Sequence, residues 1–149
     1  MSKNVSAPRP TDAELAILRV LWERGPSTVR QVHEVLVARV GQTAYTTALK
    51  LLQIMTEKGL VRRDDTDRTH VFTPRLSEEQ TQRQLVRDLL DRAFAGSASK
   101  LVMQALAARR ASPEELGEIR RLLHSVESGR READKEPRQD DREDSHDRD

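Results

Sequence analysis

Short polar side chains gather at the start of a segment that runs from Thr43 to Lys58. If this segment is a helix with about 100° per residue, its apolar side chains share one face and the polar ones lie opposite or beside them. Hydroxyl groups and a lysine near a helix start suit contacts with phosphates, base edges and thymine methyl groups. Every surface helix has a solvated polar face, however, so this face alone does not decide the function. The candidate contact residues, with Tyr45 added from the same first turn, are Thr43, Tyr45, Thr46, Thr47, Lys50 and Gln53.

Basic side chains surround a polar turn further along the chain, and they are Arg62, Arg63, Arg68 and His70. Arg68 lies at the end of the turn, where a side chain can reach a phosphate or the minor groove of DNA. The alternative is that Arg68 forms an ion pair with Asp64 or Asp67 in the same turn. We predict that Arg68 and His70 contact DNA, and the alternative remains open at this point.

The other residue types exclude several kinds of chemistry. The protein has no cysteine, which excludes disulfides, thiolate zinc sites, iron–sulfur clusters and cysteine nucleophiles. None of the histidines pairs with another histidine or a carboxylate at a metal-ligand spacing such as H-E-x-x-H. No Ser/His/Asp set and no glycine-rich phosphate loop stands out. We therefore predict that the protein is not an enzyme and uses no cofactor or metal.

The polar face and the basic turn belong to a recognisable order of elements. Capping residues, apolar periodicity and turn residues predict three helices, and alternation around the polar turn predicts a β-hairpin. Three helices followed by a hairpin is the chain order of a winged helix-turn-helix, whose third helix lies in the major groove of DNA. This order, together with the basic hairpin, favours DNA contact over a merely solvated face. The predicted helices start at caps Thr11, Ser27 and Thr43 and end near Arg24, Arg39 and Lys58, and the strands are Leu60–Arg63 and Thr69–Thr73.

The sequence pattern predicts three more helices in the rest of the folded chain. They run from the cap Ser77 to about Ala95, from Ala98 to Arg110, and from about Pro113 to Ser128. Their apolar residues exceed what three short helices can bury by themselves, so we predict a partner chain, and hence a homodimer. The predicted dimerisation residues are Leu101, Val102, Leu106, Leu116, Ile119, Leu122 and Leu123.

Charge is distributed unevenly over these parts. Residues 1–76 carry twelve Lys and Arg against eight Asp and Glu, residues 77–128 carry eight of each, and residues 129–149 carry six against nine. A basic first part suits a polyanion partner. The predicted domains are a flexible arm (1–10), a winged-helix DNA-binding domain (11–76), a helical dimerisation domain (77–128) and a disordered charged tail (129–149). No apolar run reaches the length of a membrane span, so we expect a cytoplasmic protein without membrane insertion.

Five segments carry a resemblance to known proteins, and they are Thr11–Trp22, Thr28–Leu36, Ala44–Gln53, Lys58–Val61 and Arg68–Pro74. In this order they make the chain similar to the penicillinase repressor family of bacterial transcriptional repressors (BlaI/MecI/CopY type). The resemblance implies a mainly helical protein with a small β-hairpin, in which a winged helix-turn-helix precedes a helical dimerisation domain. It also implies a palindromic operator, control of β-lactamase or related resistance genes, and release by a membrane sensor metalloprotease that cleaves the dimerisation domain.

The chain departs from two branches of that family. The copper-sensing branch carries a cysteine-rich C-terminal motif, which is absent here. In the protease-released branch the severed bond is an Asn-Phe pair in the next-to-last helix, and the matching position here is Gln104-Ala105. The resemblance therefore implies this bond as the cleavage site. The alternative is that the alanine-rich stretch Ala105–Ala108 is simply a small-residue packing face.

Two other functions remain open from the sequence. A winged-helix regulator can be released from DNA by a small ligand, which requires an apolar pocket. The sequence has only four aromatic residues, which is few for the lining of such a pocket. A winged helix can also serve as a protein-interaction module that does not bind DNA.

Overall fold

The computed structural model describes residues 9–135. Most of the predicted flexible arm and the last two thirds of the predicted charged tail therefore fall outside the described residues. Six helices and three short strands make up the described chain. In chain order they are α1 (Asp12–Arg24), β1 (Ser27–Thr28), α2 (Val29–Val40), α3 (Tyr45–Lys58), β2 (Val61–Asp64), β3 (Val71–Pro74), α4 (Glu78–Ala93), α5 (Ala98–Ala108) and α6 (Pro113–Lys135).

The winged helix-turn-helix is present as predicted from the order of elements. The three strands form one antiparallel sheet in the order β1-β3-β2, so β1, which immediately precedes α2, adds a third strand to the hairpin of β2 and β3. Arg62 lies opposite Thr73 and Asp64 opposite Val71, which fixes the register of the hairpin. The hydrophobic core of this unit consists of Ile17, Leu18, Val20, Leu21, Val29, Val32, Leu36, Ala48, Leu52, Met55, Val61 and Phe72.

Two predicted helix caps are wrong. Ser27 does not cap α2, because the helix begins only at Val29 and the Ser27 hydroxyl donates its hydrogen to the Gly25 carbonyl at 2.8 Å. Thr28 caps α2 instead and forms a reciprocal capping box with Gln31. Thr43 does not cap α3, because the helix begins one residue later, after Ala44, whose side chain offers no cap.

A buried ion pair joins the beginning of α1 to the end of α3. The side chain of Glu14 is only 1% exposed, and its carboxylate accepts hydrogen bonds from Lys58 Nζ at 2.7 and 3.2 Å and from the Thr11 amide at 3.0 Å. Burial raises the pKa of Glu14, but the hydrogen bonds from Lys58 and Thr11 outweigh it, so the pKa lies below its usual value. The pair therefore ties α3 to the capping box of α1.

Replacing Lys58 by methionine is expected to destabilise the chain by about 2–3 kcal/mol, because the Glu14 carboxylate then stays buried with one partner fewer. Adding Glu14→Gln to that variant should recover part of the loss, since no buried charge remains. Since folding lowers the pKa of Glu14, its contribution is complete above the usual carboxyl range and is lost as pH falls through the lowered pKa. Urea unfolding of the three chains at neutral and acidic pH measures both effects, and equal stability of wild type and Lys58→Met would contradict them.

Helix α4 belongs to the first of two compact units. That unit ends at Ser97 and the second begins at Ala98. The start of α4 is fixed by a capping box between Ser77 and Gln80. Thr81 is buried, and the Trp22 indole N–H donates to the Leu76 carbonyl at 3.0 Å just before the helix. These contacts attach α4 to the winged helix.

The second unit contains α5 and α6. Ser112 accepts a hydrogen bond from the Glu115 amide at 3.1 Å, which is the cap predicted for the last helix. That helix continues to Lys135, seven residues beyond its predicted end at Ser128. Arginine, glutamate and alanine favour helix even where nothing is buried, so the first part of the expected disordered tail is helical. Within residues 9–135, no helix combines the length and the apolar character that a membrane crossing requires.

Candidate nucleic-acid interface

The outer face of α3 presents the polar residues that the sequence singles out. Helical spacing buries Ala48, Leu52 and Met55 in the core, which turns the opposite side of the helix outward. Thr43 is half-buried in the turn before the helix. The exposed side chains are Tyr45, Thr46, Thr47, Lys50 and Gln53.

The first turn of α3 also offers backbone donors. Ala44 supplies no side-chain acceptor, so the first amides of the helix lack the cap that Thr11 and Thr28 give to α1 and α2. Uncapped amides at a helix start carry partial positive charge and can meet a phosphate oxygen. Together with Lys50, they make this end of α3 suitable for a polyanion.

His33 supports this turn from α2. Its Nε2 lies 2.6 Å from the carbonyl oxygen of Thr43, and its ring meets the ring of Tyr45 edge to face with centroids 5.7 Å apart. In the sequence alone, His33 is one of four histidines without a metal-ligand spacing, and nothing there points to this contact. No local sequence pattern predicts this contact, because His33 and Thr43 are brought together by the turn at Gly41 that lies between them.

The basic residues of the hairpin fall into two groups. Asp65 accepts Arg63 Nε at 2.8 Å and His70 Nδ1 at 2.6 Å, so these two side chains are held within the hairpin. Among the described residues, Arg62 and Arg68 form no ion pair, so the alternative pairing of Arg68 with Asp64 or Asp67 is not observed. Asp64 accepts hydrogen bonds from the hydroxyl and amide of Thr66 instead, which lower the pKa of Asp64.

A cleft of about 530 Å³ separates α3 from the hairpin. Gln53 from α3 lines it together with Arg63 and His70 from the hairpin. The cleft therefore brings one predicted residue of α3 next to one predicted residue of the hairpin. Arg68, at the tip of the turn, is not among its lining residues.

The predicted dimerisation residues lie in the second unit and are largely uncovered. Leu101, Leu116 and Ile119 are half-buried within the unit. Val102, Leu106, Leu122 and Leu123 are exposed, as are Met103 and Val126, which the sequence analysis did not name. Gln104 and Ala105, the predicted cleavage bond, lie exposed in α5, a helix without a buried residue.

A winged helix with an exposed polar face on α3 and a basic hairpin is an architecture typical of DNA-binding proteins. The family model described as penicillinase repressor matches residues 10–125. The chain therefore belongs to the penicillinase repressor family, and it is a winged-helix transcriptional repressor.

Two curated relatives share most of the chain. The Transcriptional regulator BlaI of Mycobacterium tuberculosis is 36% identical over 119 residues, which cover 79% of this chain and 85% of the relative. The Penicillinase repressor of Bacillus licheniformis is 24% identical over 125 residues, covering 84% and 97%. A solution structure of the Bacillus licheniformis BlaI monomeric form in complex with the blaP half-operator is 25% identical, with a TM-score of 0.43, over 49% of this chain and 88% of that one.

Proposed function

We propose that the protein is a homodimeric repressor that binds a palindromic operator through α3 and the hairpin. The observation that carries the proposal is the exposed first half of α3, where Thr46 and Lys50 lie beyond a helix start without a side-chain cap. Arg68 at the hairpin tip, which forms no ion pair with residues 9–135, adds a second point of contact with the DNA backbone. The relatives named Transcriptional regulator BlaI and Penicillinase repressor support the same kind of partner.

Each contact residue has a role that follows from its chemistry. Tyr45, Thr46 and Thr47 lie in the first turn of α3, which in winged helices faces base edges. Lys50 and Arg68 are flexible cations suited to phosphates. Gln53 lines the cleft beside the hairpin, and His70 is held by Asp65, so their contacts depend on how closely DNA approaches the hairpin. Thr43 acts through its backbone, as its side chain is half-buried.

Thr46→Ala and Lys50→Ala are expected to change DNA binding in different ways. Loss of a base contact by Thr46 should relax discrimination at one position of each half-site by about 1–3 kcal/mol. Loss of a phosphate contact by Lys50 should weaken binding to all sequences alike. It should also reduce the log–log slope of affinity against salt concentration by about one for each DNA-binding domain, or head. Titrations against an operator and its single-base variants separate the two effects, and unchanged binding by both variants would show a merely solvated face.

Dimerisation through the second unit would give the protein two DNA-binding heads. A self-complementary pair of chains matches an operator with two-fold symmetry. The exposed apolar side chains of α5 and α6 support this arrangement, because Val102, Leu106 and Leu123 lack cover within one chain. Such a protein would act in the cytoplasm, where its operators lie.

Release from the operator is proposed to follow a cut at Gln104-Ala105 by a membrane sensor metalloprotease. The cut would sever α6 from the head and remove the tether that makes the second half-site contact intramolecular, a loss of about 10²–10⁴ in avidity. Because α5 buries no residue, few contacts oppose the local opening that a protease needs. The regulated genes would be those for β-lactamase or related resistance proteins, in keeping with the name of the Bacillus licheniformis relative.

Immunoblots of induced cells test the release mechanism. A shortened chain should appear as target transcripts rise. A Gln104→Pro variant should prevent this cut and leave the DNA-binding head unchanged. Full-length protein that persists while transcripts rise would contradict proteolysis and favour release by a small ligand.

A further inference from the structure

The start of α3 is held by a side chain from another helix. His33 projects from α2, and its Nε2 lies 2.6 Å from the Thr43 carbonyl oxygen. Because a carbonyl oxygen can only accept, Nε2 carries the hydrogen and donates it. The bond spans ten residues and joins α2 directly to the turn that precedes the candidate DNA-contacting helix.

The same ring also positions the first aromatic side chain of α3. The planes of His33 and Tyr45 meet at 80°, with centroids 5.7 Å apart, which is a favourable edge-to-face arrangement. Tyr45 is 46% exposed, so its ring contacts His33 on one side and faces solvent on the other. One half-buried imidazole therefore orients both the turn and a residue of the contact face.

The turn has few other constraints. Ala44 precedes α3 without a side-chain cap, whereas Thr11, Thr28 and Ser77 each cap their helices with reciprocal hydrogen bonds. Gly41, two residues before Thr43, has a φ of 93°, a conformation that side chains rarely adopt. The His33 bond thus provides from a neighbouring helix the restraint that a capping residue provides elsewhere.

We propose that His33 is a positioning residue for DNA sequence discrimination, acting through its hydrogen bond to the Thr43 carbonyl, with the contact to the Tyr45 ring secondary. The inference rests on the proposed operator binding. Base contacts from a helix start require placement to within about 0.5 Å, and first-turn residues depend directly on the turn. Contacts from Lys50 and Arg68 to phosphates tolerate a small shift, because these side chains are long and flexible. Loss of the His33 bond therefore lowers the preference for operator over other DNA more than it lowers overall binding.

Two variants separate the hydrogen bond from the ring contact. His33→Gln keeps an N–H donor at similar reach and loses the ring, whereas His33→Phe keeps a ring against Tyr45 and loses the donor. The probes are the duplex that the wild type enriches most from random DNA and a scrambled duplex of the same composition. Fluorescence anisotropy gives the affinity ratio for each full-length chain, and thermal unfolding gives its stability.

The expected result is a ratio lowered about 5–10-fold in His33→Phe, the value of one hydrogen bond, and within about twofold of wild type in His33→Gln. An unchanged ratio in His33→Phe would overturn the proposal, and so would an equal loss in both variants. A wild type that enriches no sequence would instead contradict the proposed function itself, so the two failures are distinguishable.

Discussion

A Leu123→Asp variant is expected to be monomeric and to bind a full operator about 10²–10⁴-fold more weakly than the wild type, because the second half-site contact is no longer intramolecular. Leu116, Ile119, Leu123 and Val126 follow the spacing of a single helical stripe on α6. Leu123 is 57% exposed in one chain, so an aspartate there costs the isolated chain little. In an apolar interface the same carboxylate would be unpaired and desolvated.

Sedimentation of the purified variant and anisotropy with full and half operators measure both consequences. Ser125→Asp is the matched control, since it adds the same charge to an exposed position of α6 outside the apolar stripe. Ile119 is a less informative target because it is half-buried within its own chain. An intact Leu123→Asp dimer with normal affinity would place the interface elsewhere.

Operator affinity is expected to fall by about 10³–10⁵ between 50 and 200 mM salt, because cations of the protein displace counterions from DNA phosphates. In each head, Lys50, Arg62 and Arg68 form no ion pair with any residue from 9 to 135, and the uncapped start of α3 adds backbone donors. Two heads then neutralise about 6–10 phosphates, for a log–log slope near −5 to −9. Arg63 contributes less, since Asp65 already holds it at 2.8 Å.

Anisotropy titrations across this salt range give the slope directly. Arg68→Gln should flatten it by about one unit per head. Arg121→Gln is the matched control, because it removes the same charge from an exposed position in α6 of the second unit. A slope near zero for the wild type would mean that phosphates are not the partners of these cations.

The main elements of the winged helix were predictable because their signals are local. Thr11, with Glu14 three residues later, predicts the start of α1, and the spacing of Ala48, Leu52 and Met55 identifies the inner face of α3. Once that inner face is known, the outer face with its candidate contact residues follows from geometry alone.

The features that sequence reasoning missed depend on distant partners. The contact of His33 with Thr43 depends on the path of the turn between them. The cap of α2 is an exception, because Ser27 and Thr28 both pair with β3 and the capping box of Thr28 with Gln31 is a local signal. The length of α6 was missed for another reason, because its last residues are helical without burying anything.

Selection of bound duplexes from random DNA, followed by sequencing, tests the central claim most directly. A dimer that reads DNA with α3 should enrich an inverted repeat whose half-site centres lie about one or two helical turns apart. Thr46→Ala should weaken the base preference at one position of each half-site. Recovery of sequences without a shared motif, at a salt concentration where wild-type binding is measurable, would contradict operator recognition by this face.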